Sequence, residues 1–234
     1  MIDRRSFFKA AGAGAAASLV AACGWDGGGT VKPALLSISR LNDWVGEHLL
    51  FSPSRLAPNY DPNRRSAGLP AYFISDTVPM LKDPASWRLS VGGMVRTPLS
   101  LTLDDLKRMP SVTYTIKHHC VEGWTAIATW TGVPVSAIAQ QSGMTPAARY
   151  INFQSFDAGY SNGWDLASAM HPQTILAYAM NDRLLGPDHG APLRLYSPTK
   201  LGYKMTKYLT AMNFTADRPG GYWEDQGYPW FGGI

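Results

Sequence analysis

A chain of 234 residues that is 45% hydrophobic and 16% charged has the size and composition of one sizeable globular domain, and a second full catalytic domain does not fit comfortably. The formal charge of +4 is small, and half of it sits in Asp3, Arg4, Arg5 and Lys9. The remaining Lys and Arg are scattered, without the aromatic-interleaved basic stripe that neutralises a run of phosphates, so no nucleic acid is expected as a partner.

The first residues read as an address. Asp3-Arg4-Arg5-Ser6-Phe7-Phe8-Lys9 precedes a weakly apolar Ala/Gly run from Ala10 to Ala22, too short to span a bilayer. Over residues 1–22 this resembles a twin-arginine signal, the route that exports proteins already folded around a cofactor. Val20-Ala21-Ala22-Cys23 resembles a lipoprotein cleavage box, making Cys23 a candidate lipid anchor with Gly27-Gly28-Gly29 as a flexible leash; ordinary peptidase cleavage nearby is the alternative. A protein in the periplasm or on the outer face of the cell membrane is expected. Residues 23–70 are rich in Pro, Ser, Asn and Arg, with one short amphipathic stretch at Leu41–Val45, and read as a linker and extended wrapping segment. Residues 71–234 read as the domain.

Within it, Trp87, Leu89 and Val91 alternate with polar residues as a half-buried strand broken at Gly92-Gly93. Leu103–Met109 reads as a short helix, capped by Thr102, carrying Asp104 and Asp105 at its positive end, and stopped by Pro110. From Val112 the alternation through Tyr114, Ile116 and His118 to Cys120 predicts a strand with Cys120 on the apolar side at its end. Strands are further expected at Tyr150–Phe156, Thr174–Met180, Leu193–Tyr196 and Tyr208–Phe214, with short helices at Val135–Gln141 and Leu166–Met170. The fold class is therefore α+β, a mixed, mainly-β domain with short helices and an irregular aromatic C-terminal tail.

Beyond Cys23, Cys120 is the only cysteine, so it cannot be half of an intramolecular disulfide. It sits in His118-His119-Cys120-Val121-Glu122-Gly123-Trp124 and has three physical readings: inert core, nucleophile or metal ligand. Strand geometry puts His119 on the opposite face and leaves His118 on the same side, roughly 7 Å along. A metal would need other donors. The histidines show no zinc-like spacing with Cys120, so those donors would belong to a bound cofactor. A second cluster, His189 to Arg194 followed by Lys200 to Lys204, is dense in anion-binding features: Arg194 and Lys204 as cations, Gly190 and Gly202 for close backbone approach. Taken singly, each segment reads as a strand-edge turn with solvated cations. Trp124, Trp130, Trp164, Trp223 and Trp230 lie near turns, where core packing is the better reading. Glu122, Asp157 and Tyr160 are polar residues near the proposed site in sequence.

Five motifs occur in order: Trp87 to Val95, Cys120 to Trp124, Trp130 to Pro134, His189 to Arg194 and Gly202-Tyr203-Lys204. Together they resemble the molybdopterin domain of the sulfite oxidase superfamily, closest in layout to the single-domain periplasmic methionine sulfoxide reductase type. The resemblance implies the sulfite oxidase fold and a molybdenum-molybdopterin cofactor (Moco). It implies Cys120 as the thiolate ligand to the metal, and Ser155, His189, Arg194, Gly202, Tyr203 and Lys204 as cofactor contacts. True sulfite oxidases carry an Asn-Arg-Arg run where this chain has Glu122-Gly123-Trp124, and a pocket with an acid there is less suited to sulfite. The implied function is two-electron oxygen-atom transfer on a sulfoxide or other small oxo compound, with an external electron carrier such as a membrane haem protein or cytochrome c. The alternatives are a sulfite dehydrogenase-like oxidation of a small sulfur anion, a metal-free Cys–His hydrolase or transferase, and a cofactor-free ligand-binding lipoprotein.

Overall fold

The computed structural model describes residues 31–234 apart from Ala158, with side chains from residue 37 onward. Arg4, Arg5 and Cys23 therefore lie outside the described residues. Residues from Asp43 to Ile234 form a compact unit of their own. Among the described residues no helix is long and apolar enough to cross a membrane.

Two sheets make up that unit. The first has the order β2-β1-β10-β5-β6, with β1 Leu89–Gly93, β2 Leu99–Leu101, β5 Tyr150–Ser155, β6 Ser161–Asp165 and β10 Leu209–Thr215. β1 runs parallel to β10, and the other pairs are antiparallel. The expected alternation holds in β1, where Leu89 and Val91 are buried and Ser90 is exposed. The glycine doublet does end the strand, at Gly93. Gly93 has φ 77°, and a Cβ there would lie 2.2 Å from the Phe214 carbonyl oxygen, so the doublet is where β1 presses against β10.

The second sheet is antiparallel, β3 Val112–His119, β4 Thr125–Pro134, β7 Ile175–Met180 and β8 Arg183–Leu184 in that order, with β9 Arg194–Tyr196 also on β7. Alternation gives little warning of β4, because its residues from Ala128 to Trp130 are buried consecutively and Ile127 interrupts the face that carries Thr125, Thr129 and Thr131. Among the described residues there are four α-helices, α1 Val31–Val45, α2 Leu103–Arg108, α3 Val135–Ser142 and α4 Leu166–Ala169, besides short 3-10 and π turns. α2 begins with a reciprocal capping box between Thr102 and Asp105, as its sequence requires. α3 closes on Gly143 in the left-handed region at φ 64°.

The segment read as an extended wrap is helical at its start. α1 continues through a π-helical turn at Gly46–Leu50, and Leu41–Val45 is its last turn. Beyond it the chain does wrap. Tyr60 N donates to Thr115 O on β3, and Ser66 N donates to Ile127 O on the part of β4 that β7 leaves uncovered. The main core fills the space between the sheets, with Leu89, Phe153 and Met212 from one, Val133, Leu176 and Leu195 from the other, and Val135 and Ile138 of α3. Each such side chain contributes roughly 1.5–3 kcal/mol by leaving water. A smaller cluster holds Trp130, stacked at 4.2 Å on Tyr196, with Ile175, Ala177 and Met205.

Candidate active site

Cys120 follows the last residue of β3 and opens the loop into β4. That loop is closed by Cys120 N donating to Trp124 O, and Gly123 at φ 89° allows the turn. Cys120 lines a cleft of about 310 Å³, and His118 lines it too, while His119 does not. The period-two argument for those three residues is correct. Gly202 lies against His118: a Cβ there would come within 2.8 Å of His118 Nε2. This glycine therefore makes room for the histidine.

His118 is 5% exposed, and its Nδ1 has no hydrogen-bond partner among the described residues. Burial, then the nearby Arg194 and His119, push its pKa down to about 3, so the ring is neutral at physiological pH. Burial also raises the Cys120 thiol, partly offset by hydrogen bonds from the Glu122 and Val121 backbone. A weakly basic histidine beside a raised thiol makes a poor nucleophile pair. A bound metal ion, by contrast, supplies the positive charge that turns such a thiol into thiolate.

The opposite part of the cleft is cationic. Arg194, from β9, is 5% exposed, sits 4.9 Å over the Trp130 ring and donates from Nη1 to His189 O at 3.2 Å. Burial brings its pKa down to about 10, which still leaves it charged. Lys207 donates to Asp188 O at 3.0 Å and lies against Phe73 and Tyr208. Burial, then Arg194, pushes its ammonium down to about 7. Neither cation forms an ion pair among the described residues. Beside them Tyr208 stands in the left-handed region at φ 56°, with a buried hydroxyl that has no partner. Buried charge and orphaned polar atoms are costly unless a ligand satisfies them, so this end of the cleft fits an anionic group such as a cofactor phosphate.

Among the described residues no three His, Cys, Asp or Glu side chains converge to hold a metal. A metal at Cys120 would therefore need donors carried by a bound molecule. Ser155, His189, Gly202 and Tyr203 all line the cleft. Ser155 Oγ accepts from Asp157 N at 2.9 Å, and the Tyr203 carbonyl accepts from Tyr160 Oη and Asn162 Nδ2. Lys204 is the exception among the expected contacts. It is absent from the cleft wall, and its ammonium is fully buried on Glu224 and the Gly163 carbonyl, 5.0 Å from the Trp230 ring. With its donors spent inside the protein, it cannot serve as the phosphate cation expected of it. Lys207 lines the cleft instead.

Residues 75–223 match the family of oxidoreductase molybdopterin binding domains. The chain belongs to that family. It is a molybdopterin-dependent oxidoreductase of the sulfite oxidase superfamily, and the cationic cleft suits the anionic cofactor this family binds. The cofactor-free and metal-free alternatives fall with that assignment.

Among relatives, a putative protein-methionine-sulfoxide reductase subunit (YedZ1) of Azospira oryzae is 41% identical over 98% of this chain and 87% of that protein. The protein-methionine-sulfoxide reductase catalytic subunit MsrP of Campylobacter jejuni is 26% identical over 95% of this chain and 76% of that one. The crystal structure of the sulfane dehydrogenase SoxCD from Paracoccus pantotrophus shares the fold, with a TM-score of 0.56 at 23% identity; the match covers 59% of this chain and 40% of that chain.

Sequence reading missed several residues that shape this molybdopterin-domain cleft: Tyr72 and Phe73 from the wrap, Lys207 and Tyr208 before β10, and Tyr228 from the tail; Trp124 and Trp223, for which sequence favours core packing, line it too. The available signal for Lys207 was its place directly ahead of an apolar strand, close to the Gly202 turn.

Proposed function

We propose that this oxidoreductase reduces sulfoxides of the methionine type. The sulfoxide oxygen leaves as water, the S=O bond breaks, and two electrons and two protons are consumed per thioether formed. The observation that carries the reading is the single cleft joining the Cys120 thiol to two cations that make no ion pair among the described residues, buried Arg194 and half-buried Lys207. The two relatives named as methionine sulfoxide reductases support the substrate class.

In this reading Cys120 holds the metal, and Arg194, Lys207 and His189 grip the anionic tail of the pterin. Ser155, Gly202 and Tyr203 border it. When bound, the molybdenum cofactor supplies the oxygen-atom transfer chemistry. The chain's own work is to orient and to exclude water. Neutral His118 adds no charge to the wall beside Cys120, and the aromatic rings of Trp124, Trp223 and Tyr228 shield the cleft. Export by the twin-arginine route, a periplasmic or outer-face location and a lipid anchor at Cys23 belong to the same proposal. So does an external electron donor, either a membrane haem protein or a cytochrome c.

The test is to supply the purified holoenzyme with a reduced viologen dye and methionine sulfoxide, and separately with sulfite and an oxidised acceptor. Dye oxidation that tracks thioether formation is expected. Rapid sulfite oxidation without sulfoxide turnover would overturn the reading in favour of sulfur-anion oxidation.

A further inference from the structure

The wall of the cleft next to Cys120 carries a carboxylate that no cation balances. Glu122 lies in the loop between β3 and β4, where its Oε2 accepts from Trp124 Nε1 at 3.2 Å. Among the described residues it makes no ion pair. Tyr72, contributed by the wrap, places its ring 6.4 Å from that of Trp124 and is 56% exposed, which puts this group at the rim. The neighbouring Glu122 is the first cause holding the Tyr72 phenol above its ordinary range. Trp124 in turn packs 5.5 Å from His118, so the three side chains continue the wall that begins at the thiol. The cations of the cleft do not reach this carboxylate: Arg194 is held over Trp130 and on His189 O, and Lys207 on Asp188 O and Phe73.

We propose that Glu122, held in place by Trp124, against which Tyr72 packs, is a charge filter that admits neutral or cationic sulfoxides and turns anionic substrates away. The proposal rests on the sulfoxide-reductase reading. Glu122 is exposed at the rim, and the physical basis is that a fixed negative charge at a protein surface repels an incoming anion more strongly than it would in bulk water. Nothing comparable opposes a neutral sulfoxide. A methionine sulfoxide flanked by peptide bonds carries no carboxylate of its own and passes the filter, whereas sulfite, sulfate or a C-terminal methionine sulfoxide does not. Tyr72 lies ahead of the residues that match the family, so the filter uses a part of the chain outside that match.

The experiment compares N-acetylmethionine sulfoxide, an anion, with its neutral N-methylamide on holoenzyme of matched molybdenum content. Wild type is expected to favour the amide in kcat/KM by roughly tenfold or more. Glu122→Gln, which keeps an acceptor for the Trp124 N–H but removes the charge, is expected to bring the ratio close to unity. Calorimetric binding of the two thioether products should show the same contrast without turnover. In wild type alone, the preference should shrink as salt rises towards molar, because screening weakens charge repulsion. Turnover of both sulfoxides at equal efficiency, or a preference insensitive both to salt and to Glu122→Gln, would overturn the filter while leaving the reductase reading intact. No turnover of either sulfoxide would overturn the reductase reading itself.

Discussion

Lys204 and Lys207 are chemically identical and close in sequence, yet the fold gives them opposite work. Lys204 ends inside the protein on Glu224, whose second carboxylate oxygen already lacks a partner. Lys204→Met therefore strands a buried carboxylate and is expected to cost about 3–5 kcal/mol in urea denaturation. Lys207→Met removes a half-buried cation that makes no ion pair among the described residues, so the cofactor-free protein should lose little stability, while pterin retention through gel filtration should drop sharply. Equal behaviour of the two variants would contradict the assignment. The sequence could not separate them, because what decides is the position of Glu224 in the distant tail. Lys200 is buried on Asp165 at 3.3 Å, and burial has lowered its pKa to about 7, as in Lys207. In the unfolded chain both lysines keep their protons to about pH 10.4. Above pH 7 the unfolded state thus binds more protons, and stability of the cofactor-free protein should rise between about pH 7 and pH 9, by at most about 1.4 kcal/mol per unit for each lysine. A fall over that range, read by urea denaturation, would contradict the burial described. At still higher pH the buried hydroxyls of Tyr160 and Tyr196, raised by burial, reverse the slope.

At the scale of elements, alternation revealed those strands that have one wet face, such as β1 and β3, and capping revealed α2. β4 escaped because burial on both faces from Ala128 to Trp130 blurs the period. Its motif from Trp130 to Pro134 was visible only as a family signature, and the structure supplies a reason for the glycine within it. A Cβ on Gly132 would lie 2.2 Å from the Leu176 carbonyl oxygen, beside the register shift between Thr131 and Gly132. Gly132→Ala is expected to destabilise by about 1–3 kcal/mol, seen as a lower Tm with unchanged expression of the fold by circular dichroism. An unchanged Tm would mean that β4 and β7 are not so closely opposed.

The whole molecule builds its cleft from segments that spacing alone could not bring together: Tyr72 from the wrap, Cys120 after β3, Ser155 at the end of β5, Arg194 on β9 and Tyr228 in the tail. Resemblance supplied the order of the motifs, and residue patterns supplied the side on which Cys120 and His118 face. Only the folded chain shows that the tail is tied down. The Asp43 carboxylate accepts from Phe231 N and Gly232 N at 2.8–3.0 Å, fixing the segment that carries Trp223 and Tyr228 to the cleft. Asp43→Ala should cost about 1–3 kcal/mol and speed hydrogen exchange at Phe231 and Gly232, with slower exchange at β5 and β10 preserved. Unaltered protection of those two amides would show that the clamp is dispensable.

Cofactor binding to the native state alone stabilises it by mass action, so loaded protein should melt higher than empty protein. The most direct measurement is the molybdenum and pterin content of the purified chain, with Cys120→Ser analysed alongside. Equimolar molybdenum and pterin in wild type, with loss of the metal's thiolate spectroscopic signature and of redox activity in the variant, is the predicted result. A Cys120→Ser protein that keeps its metal, its spectrum and its activity would contradict the account.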